Sequence, residues 1–230
     1  MINAAYFKGE WRSQFEKEKT FDKRFRLPAR KSKRVRMMHQ KQHLEYFEDD
    51  NFQVVSLSYE VGEMETSMYG EMEMSMYVFL PWEVCDSASL FNDIDNESIF
   101  QYFQKIKAAK QVPVDLQFPV LKIETEFNII PLLKKLGIKD AFGKKADFRG
   151  INGHKDLSIG TAYQKAFIKT NEKETAQEDQ RIRRRGNRKQ LMTGRVRFPQ
   201  KPIPFHADHP FFYFIVLEES MSVLFAGTYT

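Results

Sequence analysis

Between Arg181 and Lys201 the chain carries nine Lys or Arg residues and no acid. Cationic side chains at that density repel one another and attract anions. The stretch therefore reads as a solvated face, or as a contact for a polyanion, a nucleic acid or a protease. A second basic run, DKRFRLPARKSKRVR, covers Asp22–Arg36. Two histidine pairs have spacings that metal chemistry uses. His39 and His43 lie four apart, and His206 and His209 flank Asp208. Neither pair supplies a complete zinc ligand set, and a hydrogen-bonded structural histidine is the ordinary reading of each. The sequence has no GxSxG elbow, no phosphate-binding loop and no HExxH. It is read as a non-enzyme with neither metal nor cofactor.

Those side chains need a scaffold, and the composition supplies one. The 230 residues are 42% hydrophobic and 14% aromatic, with 21 Phe, which is enough for one large domain or two small ones. The formal net charge is +5, yet outside the basic segment acids outnumber bases. Cys85 is the single cysteine, so neither an intrachain disulfide nor a cysteine-based metal site is expected. No apolar run is long enough to span a bilayer, and no membrane partner is expected. The start MINAAYFKGEW shows no basic region followed by an apolar stretch, so no signal peptide is visible.

Hydrophobic periodicity predicts many strands and few helices. Asn3–Phe7 reads as a short strand, Glu45–Tyr59 as two strands about an Asp-Asp-Asn turn, and Met74–Pro81 as a buried strand. Ser87–Ala109 reads as helical, with Ser98 as cap and Ile99, Phe100, Phe103 and Ile106 on one face. Val112–Asn128 alternates as a strand. Ile129–Ile138 reads as a short helix that tolerates Pro131 in its first turn and ends at Gly137. Pro210–Thr230 reads as a buried hairpin of two apolar strands about Glu-Glu-Ser, lying under a layer of Val54–Leu57 and Met76–Leu80. The sum is α+β with antiparallel sheets. GEMETSMY at Gly62–Tyr69 is repeated at once as GEMEMSMY at Gly70–Tyr77. Either one copy bulges out or the two compete for one strand register.

Thr170–Gln200 is some thirty polar residues set between apolar stretches. Loops beyond about 12–15 residues are uncommon and are usually functional or disordered. The residues around it carry a resemblance. NAAYFKGEW at Asn3–Trp11, VRMMHQ at Val35–Gln40, MSMYVFLP at Met74–Pro81 and FPVLKIETEFNIIPLLKKLGI at Phe118–Ile138 resemble, in order, segments of the serpins, the serine protease inhibitor superfamily. So do DAFGKKADFRGI at Asp140–Ile151, LSIGTAYQKAFIKTNEKET at Leu157–Thr175, PFHADHPFFYFIV at Pro204–Val216 and VLFAGTY at Val223–Tyr229.

The resemblance implies a single serpin domain over residues 1–230, the C-terminal portion of the family fold without its N-terminal helices. Residues 171–204 are then the reactive centre loop and the strand after it. In an inhibitory serpin the target protease cuts this loop, which inserts as an extra strand in the main sheet and drags the acylated protease with it. The hinge falls at Glu172, Glu174, Thr175, Ala176 and Gln177. Glu172 and Thr175 match the family, whereas Glu174 replaces its Gly, and polar Gln177–Gln180 replace small residues. If Thr175 points inward on insertion, so do Gln177, Asp179 and Arg181, and burying them is costly. Counting from the hinge puts the cut at Arg188, before Lys189; counting back from Phe205 puts it near Arg197. Arg184, Arg185 and Arg195 are further candidates, and Arg181–Arg184 has the Arg-x-Arg-Arg pattern favoured by furin-like convertases.

The implied partner is an Arg-cleaving serine protease, and the implied setting is an extracellular monomer, with a cytoplasmic one the alternative because no signal peptide is visible and a single cysteine fits the cytosol. A non-inhibitory serpin is the alternative: a cleavable substrate, a chaperone-like protein or a binder of heparin-like polyanions through Arg24, Arg26, Lys31, Lys33, Arg34 and Arg183. An incomplete product without activity is the third reading. In the serpin fold the Lys23–Arg36 strands lie in the small sheet beside the strand that follows the loop.

Overall fold

The computed structural model describes residues 2–60, 73–86, 96–170 and 201–230. Its contacts divide the chain into two compact units. One is Met1–Lys8 with Leu121–Thr170, and the other is Gly9–Val120 with Asn171–Thr230.

In the larger unit a sheet is built around one apolar strand. FFYFIVL gives β10 (Phe211–Leu217), in which every residue but the last is buried. Such a run has no polar face to turn to water, so it needs neighbours on both edges and cover on both faces. β5 (Met74–Pro81) pairs with it on one edge and β11 (Ser222–Tyr229) on the other, both antiparallel. The sheet continues through β4 (Phe52–Ser58), β3 (Ser32–Glu48), β6 (Gln111–Pro119) and β9 (Ile203–His206). β2 (Phe21–Arg26) pairs with the first residues of β3. The β6–β9 pairing is parallel.

One face of β10 presents Phe212, Phe214 and Val216, which join Phe52, Val54, Tyr77 and Phe79 in a buried cluster. The helix α1 (Asn96–Lys107) seals it with Phe103 and Ile106. Phe212 stacks on Phe79 at 4.7 Å, and Phe103 meets Phe214 edge-on at 5.2 Å, arrangements that aromatic quadrupoles favour. On the opposite face Phe211 stacks on Tyr229 at 5.3 Å and tilts against Phe118 at 5.5 Å.

Several sequence expectations are redrawn. The terminal hairpin is not a layer beneath Val54–Leu57 and Met76–Leu80. Those segments lie beside it in the same sheet, in the order β11-β10-β5-β4. Nor is the hairpin buried throughout, since β11 is a sheet edge with Val223 and Leu224 each 46% exposed. α1 begins before Ser98, which is therefore inside the helix rather than its cap. Ile99, Tyr102, Phe103 and Ile106 follow the i, i+3, i+4, i+7 stripe and pack on the core. Phe100, one step round the helix, is 51% exposed. Val112–Asn128 is two strands, β6 and β7 (Lys122–Asn128), which belong to different units. Pro119, with no N–H to offer, ends the first of them. Of the tandem repeat, Met74–Tyr77 forms the start of β5, while 61–72 lies outside the described residues.

The smaller unit holds a three-stranded sheet in the order β1-β8-β7, with β1 (Ile2–Gly9) and β8 (Tyr163–Thr170). Tyr6 stacks on Phe167 at 5.2 Å, and Asn3 donates to the Gln164 side chain at 2.8 Å. Opposite Glu126 stands Lys165, paired with it at 2.7 Å. The short helix α2 (Ile130–Lys135) has Pro131 in its first turn. It closes at Gly137, whose φ of 96° lets the Ile138 N–H return to the Leu133 carbonyl at 2.9 Å.

Gly227 faces Tyr213 across the β10–β11 ladder, and a Cβ there would lie 2.5 Å from the Tyr213 hydroxyl and 2.8 Å from its ring. Because Tyr213 is itself buried, Gly227→Ala should cost about 1–3 kcal/mol. Tyr213→Phe, which removes the nearest atom, should recover part of that loss. A double-mutant cycle from urea melts measures the coupling, and additive effects would contradict the contact.

Candidate functional site

The basic segment leaves β8 after Thr170 and rejoins the described chain at Lys201, ahead of β9. The hinge positions Glu172, Glu174, Thr175, Ala176 and Gln177 lie outside the described residues. So do the bond candidates Arg184, Arg185, Arg188, Lys189, Arg195 and Arg197, and the polyanion candidate Arg183. Their frame is described. Thr170 is buried, and its N–H donates to the Leu121 carbonyl at 3.0 Å, extending the β7–β8 ladder by one bond. β8 is flanked by strands on both edges, β1 and β7.

At the other end, β9 is an edge strand of four residues. Pro204 lacks an N–H, which an edge strand tolerates. Phe205 and Ala207 are fully buried and hold the strand down, and the Ala207 N–H donates to the Gln117 carbonyl at 2.9 Å. Among the described residues β9 pairs with β6 alone, so β6 separates it from the β2–β3 hairpin. The hairpin is therefore not directly beside the strand that follows the loop.

Asp208, just beyond β9, ties these parts together. Its carboxylate accepts from Arg26 at 2.7 Å and pairs with Lys23 at 3.1 Å. Its backbone carbonyl accepts from the Arg26 N–H at 2.7 Å. His209 is buried. Its Nδ1 lies 3.1 Å from both Asp208 and Arg26, and its Nε2 donates to the Pro81 carbonyl at 2.7 Å. Burial by itself raises the Asp208 pKa. The contacts from His209, Arg26 and Lys23 outweigh it and hold the carboxyl well below the usual range.

The histidine pairs do not assemble as metal sites. His39 Nε2 donates to Asp115 at 2.7 Å, and Lys41 pairs with the other Asp115 oxygen at 3.3 Å. His43 lies exposed further along β3. The His206 pKa is lowered by burial and by nearby Lys23. No grouping of three or more metal-ligating side chains occurs among the described residues.

The basic residues of the hairpin divide in two. Arg26 is engaged with Asp208, and Lys33 lies over the Phe25 and Tyr229 rings at 5.3 and 4.7 Å. Partial burial lowers the Lys33 pKa. Arg24 and Arg34 stand directly opposite each other across the ladder, both exposed. Opposed like charges destabilise a strand pair unless an anion joins them. Lys31 is exposed in the connecting turn, where Ala29 and Arg30 adopt left-handed φ values of 56° and 58°. Arg36, opposite Asp22, extends this face, although the sequence reading did not single it out. Nor did that reading find Asp208 as a hub. Its partners Lys23 and Arg26 are distant in sequence, and no local spacing marks the contact.

The Asp208 contacts give a pH dependence of definite sign. The folded-state pKa is lowered, so its stabilisation is present above the unfolded carboxylate value, about 3.9, and is lost as pH falls through the folded value. Asp208→Asn should cost about 1.5–3 kcal/mol at neutral pH and reduce the loss of stability below about pH 4. Urea melts at pH 7, 4 and 3 check both effects. A variant that keeps the parent's full acid sensitivity would assign that sensitivity elsewhere.

Comparison with known proteins agrees with this frame. The pattern of the Serpin (serine protease inhibitor) family matches residues 1–230. Leukocyte elastase inhibitor of Bos taurus is 30% identical over 99% of this chain, which spans 56% of that protein. Serpin B10 of Papio anubis is 31% identical, with 99% of this chain and 53% of the relative covered. A serine protease inhibitor of Cyanea capillata is 29% identical, with 99% and 55% covered. The chain thus spans about half the length of the curated relatives it matches. Uncleaved ovalbumin superposes with a TM-score of 0.75 at 26% identity over 99% of this chain and 52% of its own. Maspin gives a TM-score of 0.75 at 22% identity, covering 99% and 56%. The fold is serpin-like, α+β with predominantly antiparallel sheets and few helices, and the chain belongs to the serpin family.

Proposed function

We propose that this chain is the bait-bearing C-terminal portion of a serine protease inhibitor, its two units forming one serpin domain, directed at proteases that cleave after Arg. The observation that carries the reading is the Arg181–Lys201 segment, with nine cationic residues and no acid, set between β8 and β9. A target protease attacks a peptide carbonyl in this segment with its own nucleophile and becomes acylated by the part of the chain attached to β8. The chain contributes no catalytic group. For the cut segment to fold back as a strand beside β8, one of the β8 ladders, to β1 or to β7, has to open, since both edges are occupied.

Target chemistry follows from the bait. Leukocyte elastase inhibitor is named for elastase. Elastases have a small specificity pocket, however, while trypsin-like enzymes hold Arg by charge pairing. The candidate bonds follow Arg184, Arg185, Arg188, Lys189 or Arg197. Insertion is hindered by Glu174 and Gln177–Gln180 in the hinge, so the chain acts chiefly as a substrate. The reading includes an extracellular monomer that meets secreted proteases. Among the described residues no helix is long and apolar enough to cross a membrane.

Incubation with trypsin should cut first between Arg181 and Lys201, leave no denaturant-resistant acyl complex, and proceed faster there than with elastase. In a chain joined to the upstream half of a relative, Glu174→Gly with Ala at Gln177, Glu178, Asp179 and Gln180 should yield a covalent complex visible on a denaturing gel. First cleavage outside the segment would overturn the bait assignment. A stable complex from the unaltered chain would overturn the hinge argument.

The opposed Arg24 and Arg34 favour a second reading, a binder of heparin-like polyanions through the outer face of the β2–β3 hairpin. Replacing both with Ala should weaken heparin binding and lower the slope of log affinity against log salt by about 2. An unchanged slope would remove this reading without touching the first.

A further inference from the structure

Three strands of the larger unit bring two histidines into one row. His39 on β3 stands opposite Gln117 on β6, and Gln117 stands opposite His206 on β9. Directly opposed residues share a face of the sheet, so the row lies on one face. Charged groups face His206 from each neighbouring element: Lys23 from β2, His39 from β3, Asp115 from β6, and Asp208 just beyond β9.

Those neighbours are engaged with one another. Asp115 accepts from His39 at 2.7 Å and pairs with Lys41 at 3.3 Å. Lys23 donates to the Gln117 side chain at 2.7 Å and pairs with Asp208 at 3.1 Å, and Asp208 also accepts from Arg26. The His206 Nε2 atom, by contrast, is buried with no hydrogen-bond partner among the described residues. A proton added there creates an N–H donor and a positive charge together, with both nearby carboxylates taken and the Lys23 ammonium close by. Buried groups in that state are costly.

The strand that carries His206 is the one least able to resist. β9 has four residues, pairs among the described residues with β6 alone, and loses one ladder donor at Pro204. Phe205, on the other face, is fully buried and secures the strand while the ring is neutral. Lys201, at the downstream end of the basic segment, lies two residues ahead of β9.

We propose that His206 is a proton-operated latch on β9: neutral, it lets the strand lie on β6; protonated, it releases the strand end and with it the downstream tether of the basic segment. The sign follows from the surroundings. Burial and then Lys23 disfavour the charged ring, and Asp115 and Asp208 offset them only in part, so the His206 pKa is lowered while the strand is closed. A released ring takes the ordinary value of about 6.5. The closed strand is therefore fully favoured above about pH 6.5 and loses that advantage as pH falls through this value, until the closed ring's own lower pKa is reached. The latch lies outside the bait, so release of β9 can be read whether or not the segment is cleaved.

Hydrogen exchange of the full chain, followed by mass spectrometry between pH 7.5 and 5.5 and corrected for intrinsic rates, tests this. Protection of residues 203–209 should fall by up to about tenfold for each pH unit below about 6.5, while that of β10 holds. His206→Phe, which keeps a buried ring without a titrating nitrogen, should make protection of β9 independent of pH over this range. Should that variant fail to fold, His206→Gln, neutral at every pH, should do the same. His39→Gln should leave the acid release in place. The proposal is overturned if β9 protection in the parent does not change with pH, if β10 loosens in parallel with β9, if acid release persists in a folded His206 variant, or if His39→Gln abolishes it.

Discussion

β10 is the constraint from which the larger unit follows. A strand of seven residues with no charged side chain, and only the buried Tyr213 hydroxyl as a polar group, is poorly suited to an edge or to leaving a face in water, so four requirements arise together. β5 and β11 meet the two edge requirements. α1 covers one face through Phe103 and Ile106, and the aromatic residues Phe118 and Tyr229 meet Phe211 on the other. Everything else in the unit is hung on that arrangement. The strand after the basic segment reaches β10 through only four residues, 207–210, so β9 is anchored close to the buried strand of the sheet.

Asp208 occupies that short connection, and its role depends on where it sits. A carboxylate there is shielded enough for its contacts to matter, yet three neighbours surround it, so it remains charged. The result is a polar joint between the β2–β3 hairpin and the end of β9, beside the apolar sheet. The paired backbone and side-chain contacts between Asp208 and Arg26 fix where the hairpin meets the end of β9. His209 adds a further fixed point by donating to the Pro81 carbonyl at the end of β5.

How much was legible in the sequence depends on the range of the interaction involved. Met74–Pro81 and Phe211–Leu217 are apolar on both faces, and both proved to be central strands. Pro131 and Gly137 bracket α2 by local backbone chemistry, which a sequence displays directly. Sheet order was not legible. The terminal hairpin lies beside Val54–Leu57 rather than beneath it, because periodicity reports which residues are buried and not by what. Phe100 shows the same limit in a helix: it is as apolar as Phe103, but a rotation of 100° takes it off the core stripe. At the candidate site, the basic character of the hairpin was visible, while the division between cations engaged with remote residues and exposed ones was not. Lys33 and Arg26 are engaged by Tyr229 and Asp208, which are remote in sequence.

That division bears on what each basic cluster can do. In the hairpin, fixed cross-strand geometry holds Arg24 opposite Arg34 at a separation of about 5 Å between Cβ atoms. On the polyanion reading, a pair so placed would be preorganised for one anionic group, the scaffold already bearing the cost of holding two like charges together. The Arg181–Lys201 cluster rests on a different principle. Its charges follow one another along a single stretch of sequence, so an extended chain would spread neighbouring ones to alternate sides and relieve their repulsion. Extension is also what a protease cleft requires of a peptide bond. The same repulsion opposes compaction into a sheet, where alternate side chains would enter the interior with their charge. On the proposed reading, the basic residues that would suit an Arg-cleaving enzyme therefore work against burial of the segment after a cut. A hinge of small residues would leave that opposition to the far end of the segment, whereas Glu174 and Gln177–Gln180 extend it to the first residues that would have to enter.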